Sequence, residues 1–411
     1  MNRKEYEAYR AFLKQEILAE LDCGQDFSDE QVRQIIDEKL RSPGCAGRLD
    51  VAARRALGKE LFSSIRGMDV LQEILADKNV TEIMVNGPDQ IFLEKDGRLS
   101  AYGGRFESAG RLMDVIQQIA AGCNRVVNEA SPILDARLSD GSRVNVVLKP
   151  VALNGPIMTI RRFPEEGMTL EKLVQLGSLN QECREFLELL VKSRYNIFIS
   201  GGTGSGKTTF LNALSQAIPQ EERIITIEDS AELQLKYAKN LVSLETRNVN
   251  MEGCTPVTIR DLIRTSLRMR PSRVIIGEIR GAEICELLTA YNSGHAGSMS
   301  TGHGNSAQDM LLRMETMLLM GMDIPLSAIR RQIASGIDIL IHLGRLRDKT
   351  RKVLEIVEIR GFSEGEILTN TLYAFEEDAD STRERVSGRL VKKGELEHVE
   401  KLEAAGYGRE F

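Results

Sequence analysis

A chain of 411 residues is long enough for two or three domains, and its 42% hydrophobic and 28% charged content is ordinary for a soluble globular protein. The net charge of −6, from 54 basic and 60 acidic side chains, argues against nonspecific nucleic-acid binding, which needs a basic face to release counterions. The six cysteines (Cys23, Cys45, Cys123, Cys183, Cys254, Cys285) form no CxxC pair, so buried thiols in a reducing cytoplasm fit better than a disulfide framework or a zinc site. The start MNRKEYEAYR is too polar for a signal peptide, and no apolar run approaches the ~20 residues of a membrane span, so any membrane association is expected to be peripheral.

Residues 1–66 read as helical. Phe12, Leu13, Ile17 and Leu21 share one helix face, and Ser28 with Gln31 three residues on is a capping-box start. RSPGCAG interrupts the pattern, and a third helix is expected over about residues 49–65. Residues 67–164 alternate short apolar segments with the turn pairs Asn86-Gly87, Asp96-Gly97 and Asp140-Gly141, around a helical stretch near residues 111–121. This predicts an α+β domain with a mostly antiparallel sheet. From 165 to 375 the texture is α/β: NIFIS, RIITIE and RVIIGE are continuous apolar runs, as in a parallel sheet covered on both faces. Residues 376–411 are expected to form a charged, mobile or lightly packed helical tail. MLLRMETMLLMGM is explained by helical core packing.

NIFISGGTGSGKTT carries the strongest motif. Gly201 to Thr208 matches GxxxxGK[ST], after an apolar strand and before a helix. Gly202, Thr203, Gly204, Ser205 and Gly206 curl so that backbone N–H groups point at a β-phosphate, and the helix start at Lys207, Thr208 and Thr209 adds its partial positive charge. Lys207 would reach the β- and γ-phosphates of ATP, and Thr208 would ligate Mg²⁺.

Two strands end in carboxylates, at the edge where parallel α/β sheets bind ligands. Glu278, after four buried-type residues, is the expected water-polarising base. Glu228, Asp229 and Glu232 would hold Mg²⁺ directly or through water, with Asp229 as the metal ligand. Glu232 fits an ordinary helix-start acid as well. The four histidines include two, His295 and His303, within SGHAGSMSTGHGNS, residues 293–306. Their spacing suits no metal site, which needs three or four ligands. As a loop following the Glu278 strand and one helix, this stretch is expected to return to the nucleotide edge, with His303 nearer the γ-phosphate than His295.

On these residues the chain resembles the secretion and pilus ATPases of the type II/IV superfamily, most closely the CpaF branch that serves Flp/Tad-type pili. TEIMVNGPDQIFLE, SPILDARLSDGSRVNVVLKP, TIRRF, the phosphate loop, TIEDSAEL, LRMRPSRVIIGEIRGAE and SGHAGSMSTGHGNS carry the likeness across about residues 70–360. The last three look like the superfamily's Asp box, Glu-ended second nucleotide motif and His box. The resemblance implies a RecA-like P-loop core, preceded by an α+β (PAS-like) domain and an N-terminal helical segment. It implies phosphate contacts by Arg143 and Arg161 from the first domain and by Arg268 and Arg280 from the core. Arginine suits that role because its fork grips phosphate with two donors. It also implies a Mg²⁺-dependent homo-hexamer at the inner face of the cell membrane, beneath an inner-membrane platform protein, with no nucleic-acid partner. Two positions depart from the pattern: Gly304 stands where Ala is common, and Ser272 where Asp is usual.

A RecA-like nucleic-acid motor would want a basic channel with stacking aromatics, whereas this chain has no Trp and 5% aromatic residues. A non-hydrolysing nucleotide-gated scaffold would not need Lys207, Thr208 and Glu278 together. A GTPase would carry an NKxD motif, which the chain lacks.

Overall fold

The computed structural model describes residues 3–21, 28–42, 49–65, 68–95, 98–123, 125–138, 140–162, 167–247 and 255–408. The chain divides into two units, residues 1–165 and 166–411.

In the first unit, α1 (Arg3–Leu21), α2 (Asp29–Arg41) and α3 (Val51–Ile65) bury Leu13, Ile17, Val32, Ile36, Leu57 and Leu61 against one another. The capping box at α2 forms: Gln31 N donates to Ser28 Oγ and Ser28 N donates to Gln31 Oε1. After α4 (Val70–Ala76) come β1 (Val80–Asn86), β2 (Ile91–Lys95), β3 (Arg98–Ala101), α5 (Ala109–Gly122), β4 (Ile133–Arg137), β5 (Arg143–Val147) and β6 (Ile157–Arg161). The six strands make one antiparallel sheet in the order β3-β2-β1-β6-β5-β4. Alternate residues such as Ile83, Val85, Val144, Val146, Met158 and Ile160 pack beneath α5, as period-two side chains must. The Asp96-Gly97 turn lies outside the described residues.

The second unit is a nine-stranded sheet in the order β15-β14-β13-β12-β7-β11-β10-β8-β9. Its parallel strands are β7 (Ile197–Gly201), β8 (Arg223–Glu228), β9 (Asn240–Glu245), β10 (Arg273–Ile279), β11 (Met299–Gly302) and β12 (Ile339–Arg345). Both faces are covered. Ile197 and Ile199 pack towards α7 (Gln181–Lys192) and α8 (Lys207–Ser215), which follow the short α6 (Leu170–Gln175). Phe198, between them, packs on the other face with α9 (Ile259–Ser266), α10 (Ile284–Asn292), α11 (Ala307–Gly321) and α12 (Leu326–Gly336). Two-sided burial is why these strands read as unbroken apolar runs. Met310, Met314 and Met317 of α11 are core residues.

The C-terminal residues correct an expectation. Rather than a loose charged tail, β13 (Arg351–Ser363) and β14 (Glu366–Glu377) form a long hairpin, β15 (Gly388–Lys392) adds an antiparallel edge strand, and α13 (Glu400–Ala404) follows. Leu390 and Leu402 are buried. The Glu358 carboxylate accepts the N–H groups of Glu397 and His398, and the Tyr195 hydroxyl donates to the His398 carbonyl. Charged residues between single buried ones hid this packing in the sequence.

Candidate nucleotide site

The phosphate loop joins the fully buried β7 to α8. Gly206, at the helix N-cap, has φ 93°, a left-handed conformation that glycine adopts without a Cβ penalty. Gly201 is required for a different reason: a Cβ there would stand 2.5 Å from both the Leu343 carbonyl oxygen and Ser205 Oγ. Ser205 Oγ is itself buried without a hydrogen-bond partner among the described residues. The first amides of α8, at Lys207, Thr208 and Thr209, open onto the same loop, where a helix start favours an anion. These features fit a bound phosphate chain.

Lys207 is 9% exposed, and its Nζ donates to the carbonyl oxygens of Gly201 (3.2 Å) and Gly202 (3.3 Å). It also lies 3.4 Å from His303 Nδ1. The other ring nitrogen, His303 Nε2, stands 2.7 Å from Glu278 Oε1. His303 therefore sits between the loop lysine and the strand-end carboxylate. Burial is the largest influence on both titrating partners and lowers both: Glu278 pulls each back up, while Arg280 reinforces the lowering. A His303 held below its ordinary value is neutral near pH 7, which leaves Nδ1 able to accept from Lys207.

Glu278 closes β10. Its Oε2 accepts from Arg280 Nε (2.9 Å) and Nη2 (2.5 Å). The turn beyond is fixed by Glu283, whose Oε1 accepts the N–H groups of Arg280 and Gly281. Arg280 Nη1 lies 3.8 Å from Asp229 Oδ2, so the ends of β10 and β8 meet at one place. Lys207, Glu278, Arg280, Asp229 and His303 are thus gathered at the carboxyl edge of the sheet.

The acids after β8 divide. Asp229 is exposed, with Thr246 Oγ1 donating to its backbone and side-chain oxygens. Glu228 is 3% exposed, and its Oε1 accepts the N–H groups of Glu232 (2.8 Å) and Leu233 (2.9 Å). Glu228 thereby shapes the turn that presents Asp229. Glu232 enters that turn through its backbone.

Two expected site residues lie at the opposite edge of the sheet in their own chain. Residues 293–306 do not form one loop: β11 lies inside them, every residue of it buried between β7 and β10. At about 3.3 Å per residue, the four residues Met299 to Gly302 carry the chain across the sheet. His303 emerges at the carboxyl edge, and His295 stays at the amino edge beside the start of β7, where the Ile197 N–H donates to the Ser298 carbonyl. His295 Nδ1 lies 3.5 Å from Ser293 Oγ. The strand was hidden because small polar residues fill it. Arg268 also lies at the amino edge of its own chain, in the turn before β10, where the Ser272 N–H donates to the Arg223 carbonyl. Residues before a parallel strand necessarily lie at the edge opposite to those after it.

Arg143 and Arg161 belong to the first unit, where they are register neighbours on β5 and β6, with Arg137 beside Arg143 on β4. Arg143 holds Asp135 bidentately, at 3.2 and 2.7 Å. The Gly304 departure has a packing cause: a Cβ there would come within 3.2 Å of Met310 Cβ.

Two contributors escape the sequence reading, and a third, His342, is expected there only as a structural or solvated residue. Glu283 fixes the Arg280 turn. Arg351 of β13 donates from Nε to the Gly204 carbonyl at 2.9 Å, bracing the phosphate loop from a distant segment. His342 on β12 is hydrogen-bonded to Ser200. Only Glu283 carried a signal, as an acid in the first turn of a helix.

A parallel sheet with a phosphate loop and a strand-end carboxylate at one edge defines a RecA-like P-loop core. The chain belongs to the family described as Type II/IV secretion system protein, whose match spans residues 66–392, and thereby to the type II/IV secretion ATPase superfamily. It is similar to the type IV secretion system protein PtlH of Bordetella pertussis, 32% identical over 320 residues, covering 70% of this chain and 93% of that one. It is similar also to the conjugal transfer protein TrbB of Rhizobium radiobacter, 31% identical over 314 residues, covering 76% and 93%. Among solved structures, the Legionella pneumophila ATPase DotB superposes with a TM-score of 0.52 at 21% identity, covering 72% of this chain and 80% of that one, a likeness of fold. Among the described residues, no helix is long and apolar enough to cross a membrane.

Proposed function

We propose that this protein is an ATP-hydrolysing motor that powers Flp/Tad-type pilus assembly or protein secretion. It acts as a homo-hexamer on an inner-membrane platform protein, at the cytoplasmic face. The observation that carries the catalytic part is the chain of contacts from Lys207 through His303 to Glu278. Lys207 and the loop amides hold the phosphates. Thr208 and Asp229 would hold Mg²⁺, which would supply charge neutralisation on the phosphate oxygens. Glu278, oriented by Arg280 and His303, accepts a proton from the attacking water. Arg280 is close enough to the carboxylate to follow charge as it develops.

The test is phosphate release from MgATP with nucleotide binding measured on the same preparations. The wild type should turn over. Lys207→Ala should lose binding or turnover, because the lysine is the loop's own cation. Wild-type hydrolysis by Lys207→Ala contradicts the reading. Capture of the platform protein from native membranes tests the partner.

A further inference from the structure

We propose that His342 is a positioning residue that holds the phosphate loop and the His303 turn in register; this rests on the hydrolytic reading above. His342, Ser200 and Gly302 are register neighbours on β12, β7 and β11 at the carboxyl edge. His342 is 6% exposed and Ser200 fully buried. Ser200 Oγ and His342 Nδ1 are hydrogen-bonded at 2.8 Å, and the ring lies against the backbone of Asn305.

Each partner leads directly into the site. Ser200 precedes Gly201, whose carbonyl, with that of Gly202, receives Lys207 Nζ. Asn305 lies two residues after His303, and Ser306 then caps α11, accepting the Asp309 N–H at 2.9 Å. One imidazole therefore ties the strand that carries the lysine to the turn that carries its histidine neighbour. A neutral imidazole can accept at one nitrogen and donate at the other, which aliphatic side chains of similar volume cannot do. Burial lowers the His342 pKa and the neighbouring Asn305 backbone opposes it, leaving the ring neutral at physiological pH. His342 touches neither the Lys207 ammonium nor the Glu278 carboxylate by any contact found among the described residues, so its effect passes through the segments it joins.

The experiment uses the full chain and four variants: His342→Leu, His342→Gln, Ser200→Ala and His303→Ala. His342→Leu should lower kcat roughly tenfold, the scale of a misplaced catalytic group, with KM for MgATP within about twofold of wild type. His342→Gln should recover most of kcat, because an amide also accepts and donates. In a His303→Ala background, adding His342→Leu should change kcat by less than about twofold, since residues acting as one unit are non-additive. Ring ¹⁵N spectra supply a readout independent of turnover. With four histidines in the chain, His342→Leu should move the His303 ring resonances and leave those of His295 in place. Should His342→Leu fail to fold, Ser200→Ala must give the same resonance shift. Unmoved His303 resonances, or a fully additive kcat loss in the His303→Ala background, overturns the proposal. A wild-type chain without hydrolysis sinks the hydrolytic reading while the resonance test still decides the coupling.

Discussion

Strand β11, Met299–Gly302, has different chemistry at its two ends. At the amino edge, polar groups are spent on holding the chain together. Arg273 is fully buried and clasps Glu222 through two bonds of 2.8 Å, while its remaining nitrogen donates to the Val191 and Gly297 carbonyls. Asn196 accepts the Gly297 N–H, and Arg194 donates to the Ala296 and Ser272 carbonyls. At the carboxyl edge, Lys207, His303, Glu278 and Arg280 touch one another, with a glycine-rich backbone beside them. The same sheet thus separates structural from reactive polarity by the length of one short strand. The lesson is that two histidines close in sequence need not share a task.

The largest expected effect is at the carboxyl edge. Glu278→Gln should retain MgATP binding and lose about 10²–10⁴ in kcat, the range for a general base. Retained turnover would move the base elsewhere. Next comes the amino edge. Arg273→Met removes both hydrogen bonds to Glu222 and leaves it only Arg194, 4.0 Å away; it should cost about 3 kcal/mol of stability, read by denaturant unfolding, with nucleotide affinity of the folded fraction unchanged. A stability loss under about 1 kcal/mol would mean that the pair behaves as an exposed one.

A smaller effect concerns pH. Burial holds His303 and His342 below the ordinary histidine value. Between those lowered values and about 6.5, the unfolded chain binds more protons than the folded one. Stability is therefore complete above that value and falls as pH drops through it. Unfolding free energy measured from pH 7.5 to 5.5 should decline, and His342→Gln should flatten the decline. A slope of opposite sign would contradict the buried placement of both rings.

Much of the site was legible because it obeys local rules. The phosphate loop follows a fixed spacing of glycine, lysine and threonine, and Glu278 ends a strand whose two-sided burial writes an unbroken apolar run. What was missed depends on neighbours far along the chain. The segment Met299-Ser300-Thr301-Gly302 carries little β-branched or aromatic character and becomes a strand because β7 and β10 flank it. Arg351 meets Gly204 across 147 positions, and His342 meets Ser200 across 142. That Glu228 also accepts the N–H groups of Glu232 and Leu233, and so shapes the turn after β8, cannot be read from its strand-end position alone. Arg268 could have been placed by following the direction of each strand.

The central claim is that reactive polarity sits at the His303 end of β11 and structural polarity at the His295 end. Steady-state ATP hydrolysis by His303→Ala and His295→Ala, measured beside wild type at saturating MgATP, tests it most directly. His303→Ala should lose about tenfold in kcat, and His295→Ala should stay within about twofold of wild type. Equal losses in the two variants, or a larger loss for His295→Ala, would contradict it.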